Sequence, residues 1–154
     1  MRMIRLTGED YLIALNLRKY ERGPALFLSL SELSEKELYA YDIISSLVYR
    51  YAPDYKLEIF KPLSVEREDE GGFCSYEKKI IAVNREQLRS SKDVVNTLLE
   101  ELTHAIYNTA DMSRKHADCI RLLATQMLFD DQARGYLSKL DRIYNRREPA
   151  GSKI

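Results

Sequence analysis

Apolar positions recur with helical spacing in some stretches of the chain and in short strand-like runs in others. Ser34-Glu35-Lys36-Glu37 reads as a capping box, a serine with a glutamate three positions on. Ala40, Ile43, Ile44, Leu47 and Val48 then keep one helix face apolar. That helix should stop near Tyr51, because Pro53 disfavours helical geometry in the residue before it. Lys56-Leu57-Glu58-Ile59-Phe60 alternates as a half-buried strand does, and two further short strands are expected at residues 72–76 and 79–83, around Glu77-Lys78. Val94, Val95, Leu98, Leu99, Leu102, Ala105 and Ile106 define an amphipathic helix that Ser90 or Ser91 can cap. A further helix is expected from Ser113, burying Ile120, Leu123 and Met127, and a last one carries Tyr136, Leu137, Leu140 and Ile143.

Near the start, Thr7 and Asp10 predict a helix over residues 8–22 that stops at Gly23-Pro24, with a strand over residues 11–17 as the competing reading. Residues 25–30 are short and apolar, as a strand would be. Glu66-Arg67-Glu68-Asp69-Glu70-Gly71-Gly72 reads as a charged, solvated loop, and residues 147–154 as a frayed tail. No repeat or linker divides the chain. The expectation is one α+β domain over residues 1–146, with a small antiparallel sheet packed against helices.

Composition narrows the function classes. The 154 residues hold 24 basic and 24 acidic side chains, so the balanced charge argues against a broad nucleic-acid surface. The basic end at Arg142, Arg146, Arg147 and Lys153 is accounted for by solubility and by favourable charge at a helix C-terminus. No apolar run reaches the roughly 18 residues of a membrane span, and Met1 to Leu6 lacks the apolar core of a secretory signal. Two cysteines, Cys74 and Cys119, are too few for a disulfide scaffold or a four-cysteine zinc site and read as small buried apolar residues. A reducing cytoplasmic setting is the expectation.

The scarcest residue is the most informative. The only two histidines, His104 and His116, lie twelve residues apart in the region of strongest helical pattern. The motif helix contains Leu99-Glu100-Glu101-Leu102-Thr103-His104-Ala105-Ile106. Glu100 and His104 are one turn apart, so both side chains can reach one point, with Glu101 beside them near the buried edge. This is the spacing of the metallopeptidase helix motif, in which two histidines bind zinc and the glutamate after the first takes a proton from the metal-bound water. Here Glu101 stands at the base position and His104 at the second-ligand position, while Glu100 replaces the first histidine. A carboxylate is a legitimate zinc ligand, but it lowers the net charge at the metal and makes bound water less acidic. A third ligand could be His116, the preferred candidate because imidazole suits zinc, or Asp111, which could instead cap the next helix. Taken alone, Glu-Glu-x-x-His also fits an ordinary solvated helix face. No second Glu-x-x-His accompanies it, so a di-iron bundle is not indicated.

Residues 72–127 resemble the small zincin-type metallopeptidases called minigluzincins. The likeness lies in the order of a helix, a short sheet with Lys79-Ile80-Ile81-Ala82-Val83-Asn84, the motif helix over Leu98 to Ile106, and the following Asp111-Met112-Ser113-Arg114-Lys115-His116. It implies a zincin-like fold, a zinc ion held by Glu100, His104 and His116 or Asp111, Glu101 as the base, and a peptide or protein segment along a sheet edge. The implied activity is hydrolysis of a peptide bond, with Tyr107 or Tyr76 as candidates to steady the oxyanion. The alternative is a zincin-derived protein-binding module that has lost catalysis, for which Glu100 is the motivating residue.

Overall fold

The computed structural model describes residues 25–63, 70–110 and 113–145. The helix expected over residues 8–22, most of the charged loop, Asp111 and the C-terminal tail lie outside the described residues. Four strands and four α-helices form an α+β arrangement among the described residues. The strands are β1 (Ala25–Phe27), β2 (Lys56–Pro62), β3 (Gly72–Ser75) and β4 (Ile80–Asn84). The helices are α1 (Glu35–Tyr51), α2 (Ser91–Tyr107), α3 (Arg114–Leu128) and α4 (Asp131–Asn145). Among the described residues no helix is long and apolar enough to cross a membrane.

Local chemistry sets the helix ends. The capping box at α1 forms as expected: the Glu37 amide donates to Ser34 Oγ at 3.1 Å, and the Ser34 amide donates to Glu37 Oε1 at 2.8 Å. Arg85, in the short 3-10 turn Arg85–Arg89 that follows β4, also donates to both Glu37 carboxylate oxygens, at 3.0 and 2.9 Å. Those bonds hold the Glu37 carboxyl below the usual carboxylate range. Ser90 caps α2 by accepting from the Asp93 amide, and Ser113 caps α3 by accepting from the His116 amide.

The sheet order is β1-β2-β4-β3, and the sheet is mixed rather than antiparallel. β1 pairs antiparallel with β2, and β3 antiparallel with β4, but β2 and β4 run parallel, with Leu57 opposite Ile81 and Ile59 opposite Val83. The correction has a simple cause. β3 and β4 form a hairpin, and the second strand of that hairpin, not the first, docks on β2. β4 therefore sits inside the sheet, where its near-continuous Ile-Ile-Ala-Val run is buried on both faces. Ile81 and Val83 join Leu57 and Ile59 in the main core under the helices, with Ile44, Leu47, Leu98, Leu102, Leu123 and Leu140. Ile80 and Ala82 face the other way, into a smaller cluster with Ala25, Phe60 and Phe73.

The C-terminal helices are tied back to α1 through one carboxylate. Asp130, between α3 and α4, receives a two-pronged ion pair from Arg50, with Nε 2.6 Å from Oδ2 and Nη2 3.0 Å from Oδ1. The Tyr51 hydroxyl donates to the same carboxylate, which also accepts the Gln132 amide at 3.1 Å at the start of α4. The Arg50 bonds, then the Tyr51 bond, hold the Asp130 carboxyl far below its ordinary range. Burial, and next this carboxylate, push the Tyr51 phenol up to about 12. A depressed carboxyl contributes stability that is complete above its unfolded value of about 3.9 and is lost as pH falls towards the folded one. Asp130→Asn should therefore lower the Tm near neutrality, and the gap to the parent should close on acidification below about pH 4. Thermal melts of the two proteins across that range check this, and a gap that stays constant would mean the carboxylate's charge contributes nothing.

Candidate functional site

Helix α2 lies across β3 and β4 and brings its motif to the open edge of the sheet. Val94, Leu98 and Leu102 point into the main core. A second buried line runs beside them, Thr97, Glu101 and His104, at spacings of four and three residues that place them on one helix stripe. The Thr97 and Glu101 part of this line packs against β3. A β-carbon on Gly72 would fall 2.6 Å from the Ala82 carbonyl oxygen, 2.7 Å from Thr97 Cγ2 and 3.2 Å from Glu101 Cγ. Only glycine fits there, so the strand backbone touches the helix directly. Glu101 is consequently only 5% exposed. Glu100, one position earlier, is exposed on the helix surface.

The two histidines meet. Their rings stack with centroids 4.1 Å apart and planes inclined by 14°. Both are buried, at 8% and 5% exposure. Asn108 ends α2 in the left-handed conformation, φ 55° and ψ 50°, with its amide donating to the His104 carbonyl at 2.8 Å. The next residue, Thr109, is buried against both rings. His104 Nδ1 donates to its carbonyl oxygen at 2.6 Å, and its Oγ1 lies 2.6 Å from His116 Nδ1. Tyr76 Oη makes a long 3.4 Å contact with the same carbonyl, while Tyr107 packs partly buried against the main core. Of the two tyrosines weighed from the sequence, Tyr76 is the one placed beside the imidazole pair.

Cys74 lies on β3 close to Glu101 and Tyr55. Burial, with the Glu101 charge adding to it, pushes its thiol up to about 12 despite an opposing hydrogen bond with Tyr55. The thiol therefore stays protonated near neutral pH and is no thiolate nucleophile.

The donor chemistry matches a zinc site in part. Two imidazoles held through Nδ1, one of them by a backbone carbonyl, have the support that metal-binding histidines receive. The structure stacks His104 on His116, buries Glu101 about one turn before His104 on the same helix, and leaves Glu100 exposed on the surface. Among the described residues, no three His, Cys, Asp or Glu side chains converge as a metal-holding group. Asp111, the other third-ligand candidate, lies outside those residues. Thr109, Gly72 and Cys74 went unpredicted as parts of the site. The asparagine after the motif helix was the available signal for Thr109, because a left-handed cap there folds the following residue back over the last turn.

No family model, curated protein or solved structure matches this chain.

Two glycines separate steric from conformational effects at this site. Gly72→Ala should destabilise the protein by about 1–3 kcal/mol, the usual range for overpacking. Gly135→Ala, in α4 with nothing within 4 Å of the added carbon, should stabilise it by up to about 1 kcal/mol. Urea unfolding of both variants checks the pair. A neutral Gly72→Ala would show that α2 and β3 can separate freely.

Proposed function

We propose that the region where α2 packs against α3 and β3 is a zincin-like hydrolytic centre acting on a peptide bond. The observation that supports it most is the stacking of the only two histidines, each with its Nδ1 on Thr109, with the buried Glu101 about one turn earlier on α2. Glu100 and His104, with His116 or Asp111 as the third ligand, would hold a zinc ion. The ion, when bound, supplies Lewis acidity toward the scissile carbonyl and its water. Glu101 would take a proton from the attacking water as general base. The outer edge of β3, which has no strand partner on that side among the described residues, is where an extended peptide segment would lie.

The surface placement of Glu100 favours a second reading, a zincin-derived module that binds a protein segment without cleaving it. An exposed, anionic first position offers the metal one donor fewer in the interior. The two readings part on metal content and on one isosteric substitution. Protein purified without chelator should carry about one zinc per chain and hydrolyse a mixed peptide pool. His104→Ala and His116→Ala should each lose the metal. Glu101→Gln should keep it and lower turnover by about two orders of magnitude or more. Glu100→His should tighten zinc if position 100 reaches the ion. Metal-free protein whose melting is indifferent to chelator, with no activity above the Glu101→Gln background, would rule out the hydrolase and leave the binding module.

A further inference from the structure

The four-stranded sheet has two faces, and the described helices account for one of them. Successive side chains of a strand point to opposite faces. Leu57, Ile59, Ile81 and Val83 point into the main core under the helices. Ala25, Phe27, Phe60, Phe73, Ile80 and Ala82 point the other way and gather into a second apolar cluster. The Phe60 and Phe73 ring centroids lie 5.0 Å apart, and those of Phe27 and Phe73 6.2 Å apart. Among the described residues every member of this cluster belongs to a strand. Side chains standing on one sheet face can cover one another's flanks but not one another's tips, which all reach away from the sheet. Phe60 is nevertheless 0% exposed, and Phe73 and Ile80 are each 5% exposed. These exposures are those of the chain alone, so the cover over them is part of the same chain.

We propose that the run Tyr11-Leu12-Ile13-Ala14-Leu15-Asn16-Leu17 is that cover, docked on the sheet face turned away from the helices. Residues 1–24, 64–69, 111–112 and 146–154 lie outside the described residues. Residues 64–69 contain one apolar side chain, Val65, among four charged ones. Residues 111–112 supply only Met112, in the connection between two helices of the opposite face. Residues 146–154 read Arg-Arg-Glu-Pro-Ala-Gly-Ser-Lys-Ile. Of these stretches only residues 1–24 hold an apolar run, with Asn16 the single polar residue between Tyr11 and Leu17. The chain also arrives at the right place. It enters the described residues at Ala25, which is 4% exposed and itself a member of the cluster. Residues 18–24 can span up to about 24 Å at roughly 3.4 Å each. Four strands spaced by about 4.8 Å are only about 14 Å across, so the run can reach any of them. The cover also backs the candidate site. Phe73 alternates on β3 with Gly72 and Cys74, which face α2 and the main core, so the strand that closes over Glu101 is held from behind by this cluster. The inference does not depend on the chemistry of the α2 motif.

Nuclear Overhauser spectra of the full chain test the proposal, with the phenylalanine rings and the Leu, Ile, Val and Met methyl groups isotope-labelled. Three of the chain's four phenylalanines are in the cluster, and the fourth, Phe129, is 78% exposed between α3 and α4 and serves as the control. The rings of Phe60 and Phe73 should show contacts to methyl groups of Leu12, Ile13, Leu15 or Leu17, and Phe129 should show none. Contacts to Val65, Met112 or Ile154 in their place would overturn the proposal, as would rings with no methyl contact outside the cluster. A sample that mixes labelled and unlabelled chains identifies a second copy as the source. Contacts from residues 11–17 seen only between chains would overturn docking within one chain. Leu12→Ala, Ile13→Ala, Leu15→Ala and Leu17→Ala made together should move the ring resonances of Phe27, Phe60 and Phe73 and leave those of Phe129 in place. Cluster rings that stay unmoved in the folded variant would overturn the proposal as well. If that variant does not fold, the spectra of the parent still decide.

Discussion

The close approach of β3 to α2 is the constraint on which the rest of this structure depends. At Gly72 the strand backbone rests against Thr97 and Glu101 with no room for a side chain. A helix that would otherwise show a polar face to water beside its apolar one has that face turned indoors. Glu101 is covered by the sheet edge and His104 by Thr109 and His116, and Cys74 lies close enough to Glu101 for its thiol to sense the carboxylate's charge. A carboxylate is held in such a place only where polar neighbours compensate for lost water. The site is thus a by-product of packing geometry before it is a constellation of reactive groups.

The elements that carry their own punctuation were legible in the sequence. Ser34 with Glu37, Ser90 and Ser113 each mark a helix start that the structure reproduces, because a cap is a local bond that needs no tertiary context. The direction of β4 was not legible. Short apolar runs separated by turns reveal strands but not which strand of a hairpin docks on its predecessor, although the unbroken Ile80 to Val83 run is the mark of a strand covered on both faces. The site divides in the same way. The meeting of His104 with His116 follows from a hairpin of two helices and could be anticipated. Helical spacing already set Glu101 nearer the buried edge than Glu100, since neighbours on a helix differ by about 100°, but that β3 closes over Glu101 was not legible.

A threonine in a helix connection carries no signal of its own. Its significance comes from the left-handed residue before it, which turns an outgoing chain back on itself. Short connections of this kind can position side chains as firmly as regular elements do, because the cap bonds of both flanking helices fix their ends. Here the Asn108 amide is bound to the His104 carbonyl and the His116 amide to Ser113 Oγ, so each histidine is restrained at its backbone as well as at its ring.

Strand β4 has hydrogen-bonded neighbours on either side and belongs to two separate apolar clusters, one through Ile81 and Val83 and the other through Ile80 and Ala82. A fluctuation that frees it must open both clusters at once. Its amides should therefore be the slowest in the molecule to trade hydrogen for deuterium, so that their exchange reports the free energy of complete unfolding while the outer strands report only local fraying.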